Sequence, residues 1–362
     1  MTSMPLAEAA DQSDDVDATQ VVLGVDTHKD VHVAVALTRT GAVVDSAAFA
    51  ATTTGYTRLL DWARNLGEPT MAGIEGTGSW GVGLTRFLRA QGVRVIEVNR
   101  PDRATRRRRG KTDTVDAEAA ARATLSGQAN VTPKSAEGPA EAMRIYKLAK
   151  DSALKSRTQA INQLKGIIVN ADPHLREQLR GLTTHAQVSF CAKLDRGGDS
   201  AEARAARRAL HMLAHRIQHL SGEIRELKRL LTTEVTSTAP ALLNLFGVGH
   251  DSAATLLIAA GDNPERLRSE ASFAALCGVS PIDRSSGKTQ RRRLNRGGNR
   301  QANAALFRIA LTRLRADPRT RSYVQRRTTE GLTKREIVRC LKRYLVREIF
   351  KIIMVSVAPT TA

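Results

Sequence analysis

The sequence predicts an α/β N-terminal domain, a helical middle and a mostly α-helical C-terminal domain, on three observations. From Val21 to Val98, short apolar or alternating runs recur between turn residues, the pattern of strands interleaved with helices. Further on, Leu210, Leu213, Ile217, Leu220, Ile224, Leu227 and Leu231 follow alternating steps of three and four, an a/d seam. Beyond Ala239, a glycine-containing turn from Leu245 to His250 separates what read as two short helices, the second carrying the apolar run Ala253–Ala260.

Residues 1–19 are acidic, rich in Ala and Ser and aperiodic, and are expected to be a disordered leader. Val21–Val25, His32–Leu37 and Ala42–Ala50 read as strands, with Thr40-Gly41 turning a hairpin between the second and third. A helix around Tyr56–Leu66, a buried strand ending at Glu75, an amphipathic helix around Val82–Ala90 and a strand at Val93–Val98 follow. Three antiparallel strands and then α-β-α-β is the order of an RNase H-like domain, expected here over residues 20–135. In the helical middle, residues 136–236, a weaker seam of Leu154, Ile161, Leu164 and Ile168 precedes Pro173. The two seams predict either an antiparallel hairpin or a coiled-coil dimerisation arm, with plain packing inside a bundle as the rival. Residues 237–362 form the C-terminal domain. Its Gly247 and Gly249 serve a tight helix–helix turn equally well as a phosphate-binding helix N-terminus.

Composition narrows the partner. The 362 residues include 56 Lys and Arg against 36 Asp and Glu, a net charge of +20 with a pI near 10.7, which points to a polyanion. Aromatic residues are only 4%, so base stacking is not the main recognition device. Neutralisation of a phosphate backbone, or base pairing supplied by another nucleic acid, fits better. The three cysteines, Cys191, Cys277 and Cys340, are scattered, which argues against disulfides and a thiolate zinc site and suits a reducing cytosol. The apolar stretch Ile349–Val357 is too short to span a bilayer and is broken by Lys351. A cytoplasmic, nucleoid-associated location is expected.

Four carboxylates are the candidate chemistry. Asp26 ends the run Val21–Val25 and Glu75 ends Met71–Ile74, while Asp113 and Asp116 stand three apart in a helical segment and so share a face. Two acids at strand ends and two on a helix can converge on a pair of divalent cations, an arrangement that activates phosphodiesters. Each acid alone reads as a surface or helix N-terminal charge; the four in these contexts read as a site. Arg106, Arg107, Arg108, Arg109 and Lys111 lie just before Asp113 and are either a solvated charge run or a phosphate contact. His211, His215 and His219 recur every four residues and could share a metal, but they flank the apolar seam and no carboxylate or cysteine is expected to complete a site with them. Ser285-Ser286-Gly287 sits in a loop bracketed by Lys288, Arg291, Arg292, Arg293, Arg296 and Arg300. By composition such a loop is a turn; serine becomes a nucleophile only with a base or a polarised phosphate beside it.

The motifs Gly-Val-Asp-Thr-His-Lys, Gly73–Trp80 (Gly-Ile-Glu-Gly-Thr-Gly-Ser-Trp), Lys111–Ala117 (Lys-Thr-Asp-Thr-Val-Asp-Ala), Gly-Val-Ser-Pro-x4-Ser-Gly and Arg-Gly-Gly-Asn-Arg together resemble the DEDD-plus-serine transposases of bacterial insertion sequences, the "IS one-ten" family, some of which act as bridge-RNA-guided recombinases. The resemblance runs from about Val21 to Phe350. It implies a RuvC-like catalytic domain in which Asp26, Glu75, Asp113 and Asp116 hold Mg2+ (or Mn2+), and a C-terminal transposase domain in which Ser286, directly before Gly287, is the nucleophile, with Ser285 an extra neighbour. It further implies donor and target DNA and a noncoding bridge RNA as partners, and a homodimer that assembles to a tetramer with each site shared between subunits. Three other readings compete on the residues alone. A RuvC-like junction resolvase using water would need the four acids but not Ser286. A non-catalytic nucleic-acid-binding relic is at odds with five intact candidates. An actin-like phosphotransferase would want glycine-rich phosphate loops around Asp26, which Asp26-Thr27-His28-Lys29-Asp30 lacks.

Overall fold

A computed structural model describes residues 20–99, 112–195, 197–283, 285–287, 292–293 and 295–356. The expected leader, the basic residues Arg106–Arg109 and Lys111, and Lys288 and Arg291 lie outside the described residues. The chain divides into two compact units, residues 1–136 and 137–362.

The first unit is built on a five-stranded mixed sheet. Strands β1 (Gln20–Thr27), β2 (Val31–Thr38), β3 (Val43–Ala50), β4 (Glu68–Glu75) and β5 (Arg94–Val98) lie in the order β3-β2-β1-β4-β5. The first three pair antiparallel, while β1, β4 and β5 run parallel. This is the order expected of an RNase H-like domain. Gly41, at φ +88°, closes the β2–β3 hairpin where Thr40-Gly41 predicted a turn. Helices α1 (Thr53–Leu66), α2 (Val82–Ala90) and α3 (Asp113–Leu125) complete the unit. Alternation along the strands splits the core between two faces. Val21, Leu23, Val25 and Ile74 pack with Leu59, Leu60, Leu84 and Leu88 of α1 and α2, and Val35 and Leu37 pack with Ala117 and Ala121 of α3. Each fully buried leucine contributes about 1.5–3 kcal/mol.

The second unit is helical apart from one short hairpin. Its helices are α4 (Pro139–Asn170), α5 (Pro173–Leu179), α6 (Thr184–Cys191), α7 (Ala201–Thr238), α8 (Pro240–Leu243), α9 (His250–Ala260), α10 (Glu270–Leu276), α11 (Arg300–Ala316), α12 (Pro318–Thr329) and α13 (Lys334–Ser356), with strands β6 (Ile282–Asp283) and β7 (Arg292–Arg293) between α10 and α11. Met143 of α4 clusters with Leu231 and Val235 of α7, and Leu164 and Ile168 with Leu210 and Ile217. The two long helices therefore run antiparallel, one of the two arrangements the seams predicted. Leu210, Ile217, Ile224 and Leu231, seven apart, are buried within the chain, while Leu213, Leu220 and Leu227 are half-buried. On α4 the buried centre is Ala153 and Ala160, not the expected Leu154 and Ile161, which are half-buried. Small residues at the contact let the backbones approach, and the larger neighbours cover the flank.

Several polar groups fix these helices from a distance. Asp262 accepts hydrogen bonds from the first-turn amides of Ala140 (2.6 Å) and Glu141 (3.1 Å), so a remote carboxylate caps α4. Lys147 and Lys150 are buried on α4 and both reach Asp251 in the first turn of α9. Gly247, at φ +83°, turns the chain into α9 where a Cβ would press on Ile309 and Thr312 of α11. That turn is a packing device of the kind the sequence allowed. Ile349 and Ile353 of α13 face the core, and among the described residues no helix is long and apolar enough to cross a membrane.

Candidate functional site

In the first unit the site is assembled by bare backbone. A Cβ on Gly24 would lie 2.1 Å from the carbonyl oxygen of Ala117, and one on Gly73 would lie 2.1 Å from Thr124 Oγ1 and 2.7 Å from the carbonyl of Ala120. Helix α3 thus rests directly on β1 and β4, and only glycine permits the approach. Its start is fixed by Thr112, whose hydroxyl accepts from the Val115 amide. The helix runs against the strands, from Asp113 over their C-terminal ends to Thr124 over Gly73. The strand-end acids and the helix acids therefore share one end of the sheet.

Asp26 is nearly buried at the end of β1. Glu75, half-buried, ends the adjacent parallel strand, one step beyond the Val25–Ile74 pair. Thr27 Oγ1 donates to the Glu75 carbonyl (2.8 Å) and ties the two strand ends together. Asp113 is exposed and Asp116 buried, three residues apart in the first turn of α3. Sequence reasoning missed His28. Its Nε2 lies 3.4 Å from Asp26 Oδ2 and 3.3 Å from Asp113 Oδ1, bridging a strand-end acid to a helix acid. The signal was present in Asp26-Thr27-His28, a ligand-type residue just past a strand-end acid, but its partner on α3 is far along the chain. Asp26, His28 and Asp113 each bring one ligand atom within 4.8 Å of the others. This carboxylate-rich donor set fits a divalent cation.

The serine loop belongs to the second unit. Strands β6 and β7 pair antiparallel through Ile282–Arg293 and Asp283–Arg292, and the segment joining them carries Ser285 and Ser286, both exposed, with Gly287 at φ +54°. Arg292, Arg293, Arg296 and Arg300 are exposed around it. The base of this hairpin is pinned. Gly278 (φ +65°) and Gly298 (φ +94°) take left-handed backbone where a Cβ would strike Gly297 O in one case and Leu276 O in the other, and the Asn299 amide donates to Leu276 O at 2.6 Å. Asn303 Nδ2 donates to the carbonyls of Cys277 (2.8 Å) and Gly278 (3.0 Å), and its Oδ1 accepts from Lys342 Nζ (2.8 Å). Cys277 beneath this turn has its thiol pushed up to about 12 by burial, so it stays a neutral packing group.

The three histidines on α7 have different neighbours. His211 and His215 meet edge to face, and His219 pairs with Glu223 at 3.1 Å on the surface. Glu223 lies beside one of them, and among the described residues no third ligand joins that pair.

Comparison with known protein families gives two matches, one on either side of α7. Residues 23–173 match the DEDD transposase family of IS110 type, and residues 239–325 match the family described as "Transposase IS116/IS110/IS902 family". The chain belongs to the IS110 family of transposases. The first match contains all four acids and His28; the second contains the serine hairpin. An "Insertion element IS110 uncharacterized 43.6 kDa protein" of Streptomyces coelicolor is 31% identical over 134 residues, 35% of this chain and 33% of that protein. The alignment thus spans about a third of the length of that IS110 relative.

Proposed function

We propose that the protein is a DNA recombinase that cuts and exchanges strands through Ser286, with the four acids and His28 holding Mg2+ or Mn2+ at the scissile phosphate. The observation that carries this reading is the meeting of Asp26 and Asp113 on one nitrogen of His28, at the shared end of β1, β4 and α3. Bound there, divalent cations would neutralise charge on a phosphodiester and make its phosphorus more open to attack. The residues themselves do the rest. Asp26, Glu75, Asp113 and Asp116 are held by sheet register and helix docking, so little reorganisation is needed when substrate arrives. Ser286 Oγ attacks the phosphorus; an Oγ–P bond forms, the bond to the 3′ oxygen breaks, and the hydroxyl proton ends on the departing 3′-hydroxyl. The covalent phosphoserine conserves the ester for rejoining to a new 3′-hydroxyl, which is strand exchange. The exposed Arg292, Arg293, Arg296 and Arg300 stand where they can bind the strand backbone.

The partners in this reading are donor and target DNA and an element-encoded bridge RNA, with the protein a homodimer that pairs into a tetramer. Its net charge of +20 and its 4% aromatic content support backbone binding with sequence choice left to base pairing. The half-buried flank of Leu213, Leu220 and Leu227 is the part of the seam left for a partner subunit.

The test is a strand-exchange assay with trapping of covalent protein–DNA adducts. Ser286→Ala should abolish adducts while DNA and RNA binding persist, since no charge is lost. Asp26→Asn should abolish exchange with the fold intact, because removing one of several clustered carboxylates relieves repulsion in the metal-free protein. Exchange by Ser286→Ala at wild-type rate would favour hydrolysis by water instead, and activity in excess chelator would remove the metal from the reading.

A further inference from the structure

Beside the base of the serine hairpin, in the second unit, lies a cavity of about 670 Å³. One wall is the turn from Gly278 to Pro281; the other is α13. Six cations line it, Arg292, Arg293, Arg339, Lys342, Arg343 and Arg347, against a single carboxylate, Glu336. That carboxylate is engaged in capping α13, accepting from the Thr333 amide and hydroxyl at 2.9 and 2.7 Å. Glu270 answers Arg343 (2.9 Å) and, more loosely, Arg347 (3.9 Å). Asp283 reaches Arg292 (3.4 Å), where both side chains are largely exposed.

Lys342 is the telling member. Its side chain is buried, which a lysine rarely is without a carboxylate beside it. Among the described residues it makes one hydrogen bond, to the neutral amide oxygen of Asn303, and no ion pair. Burial and the nearby charge of Arg339 both hold its ammonium below the usual lysine range. A buried cation facing a cationic cavity is stabilised by an anion entering from outside. A base-stacking occupant is disfavoured, because the aromatic residue on the wall, Tyr344, already has the guanidinium of Arg347 over its ring at 5.7 Å.

We infer that this cavity binds a phosphodiester of a nucleic-acid strand, with Lys342 and Arg339 as its central contacts. Through Asn303, Lys342 also touches the carbonyls of Cys277 and Gly278 at the root of the serine loop. A phosphate drawn to Lys342 is therefore bound next to the element that orients Ser286. The inference rests on the proposed function only in taking nucleic acid as the partner. Binding is measured without strand exchange, so its failure leaves the serine chemistry standing.

The test uses the full chain and two fluorescein-labelled probes, single-stranded DNA and single-stranded RNA of one sequence, titrated over a range of salt. Arg339 is exposed, so Arg339→Gln leaves the fold intact; Lys342→Met keeps the length of the buried side chain. Exposed Lys228 on α7, far along the chain from the cavity, gives the control Lys228→Met. Each cavity variant should lower affinity for at least one probe about tenfold, the size of one charge-assisted contact. The log–log salt slope should fall by roughly 0.7 per lost phosphate contact, the value for single strands. The probe that suffers identifies the strand that occupies the cavity. If Lys342→Met misfolds, Arg339→Gln carries the test alone. Wild-type affinity for both probes, weakened affinity with an unchanged salt slope, or an equal loss in Lys228→Met would each overturn the inference.

Discussion

Asp26 ends a central strand of a five-stranded sheet and is nearly buried, whereas Ser286 lies exposed in the segment that joins β6 to β7. The acids are fixed by backbone contact between α3 and two glycines. Among the described residues, the serine loop is held at its root, through Gly278, Gly298 and Asn303. The difference matches what each group would have to do in the proposed mechanism. Carboxylates that hold cations work best when their spacing is set before substrate arrives. A nucleophile that forms a bond to a DNA strand must reach that strand in the open, so its precision comes from the base of a short loop.

The largest effect should come from filling the helix–sheet contact. Gly24→Leu drives a side chain into the backbone of α3 at Ala117 and Ala121, costing about 3 kcal/mol and displacing Asp113 and Asp116. The variant should melt earlier by circular dichroism and lose both divalent-ion binding and strand exchange. A variant with wild-type melting and exchange would show that the acid site does not depend on this seating. Next comes the hairpin root. Gly298→Ala places a Cβ in left-handed backbone at φ +94°, 2.7 Å from Leu276 O, at a cost of about 1–3 kcal/mol. Strand exchange should fall at least tenfold while Mn2+ binding, followed by calorimetry, stays at the wild-type level. Loss of both together would erase the distinction between a preset site and a hinged one.

A smaller effect concerns pH. His32 on β2 is fully buried, and its ring stacks on Tyr56 at 5.7 Å. Burial, reinforced by the charge of nearby His28, lowers its pKa below 6.5. The folded state then binds fewer protons than the unfolded one, so stability is fully present above pH 6.5 and declines as pH falls from there toward the lowered value. His32→Phe should flatten that decline in thermal melts; an unchanged slope would place the titration elsewhere. The smallest effect is expected of Ser285→Ala, which should leave adduct formation within about twofold of wild type. A loss as deep as that of Ser286→Ala would make Ser285 the reacting hydroxyl.

The strands and the helix Val82–Ala90 were legible because period and turn residues are local signals, and the acids were legible because they end those elements. What escaped depends on distant partners. His28 acquires meaning only when α3 brings Asp113 to it. Lys147, Lys150 and Lys342 look like surface charges until Asp251 and Asn303 are found beside them. The seam was correctly periodic, yet its centre on α4 fell on Ala153 and Ala160, since side-chain size at a helix contact is decided by the facing helix. For the same reason Ile217 and Ile224 are buried inside the chain's own hairpin. A charge there would unfold the hairpin before it could report on subunit assembly.

The glycine floor under α3 also gives the acid site a history in time. During synthesis, Asp26 and Glu75 leave the ribosome as soon as their strands do, but Asp113 and Asp116 emerge only with the last helix of the unit. Until that helix settles onto Gly24 and Gly73, the nascent chain carries half a set of carboxylates and none of the geometry that joins Asp113 to His28. In the proposed function, competence to hold cations therefore arrives in one step when the domain closes, while Ser286 belongs to the second unit and is still to be made.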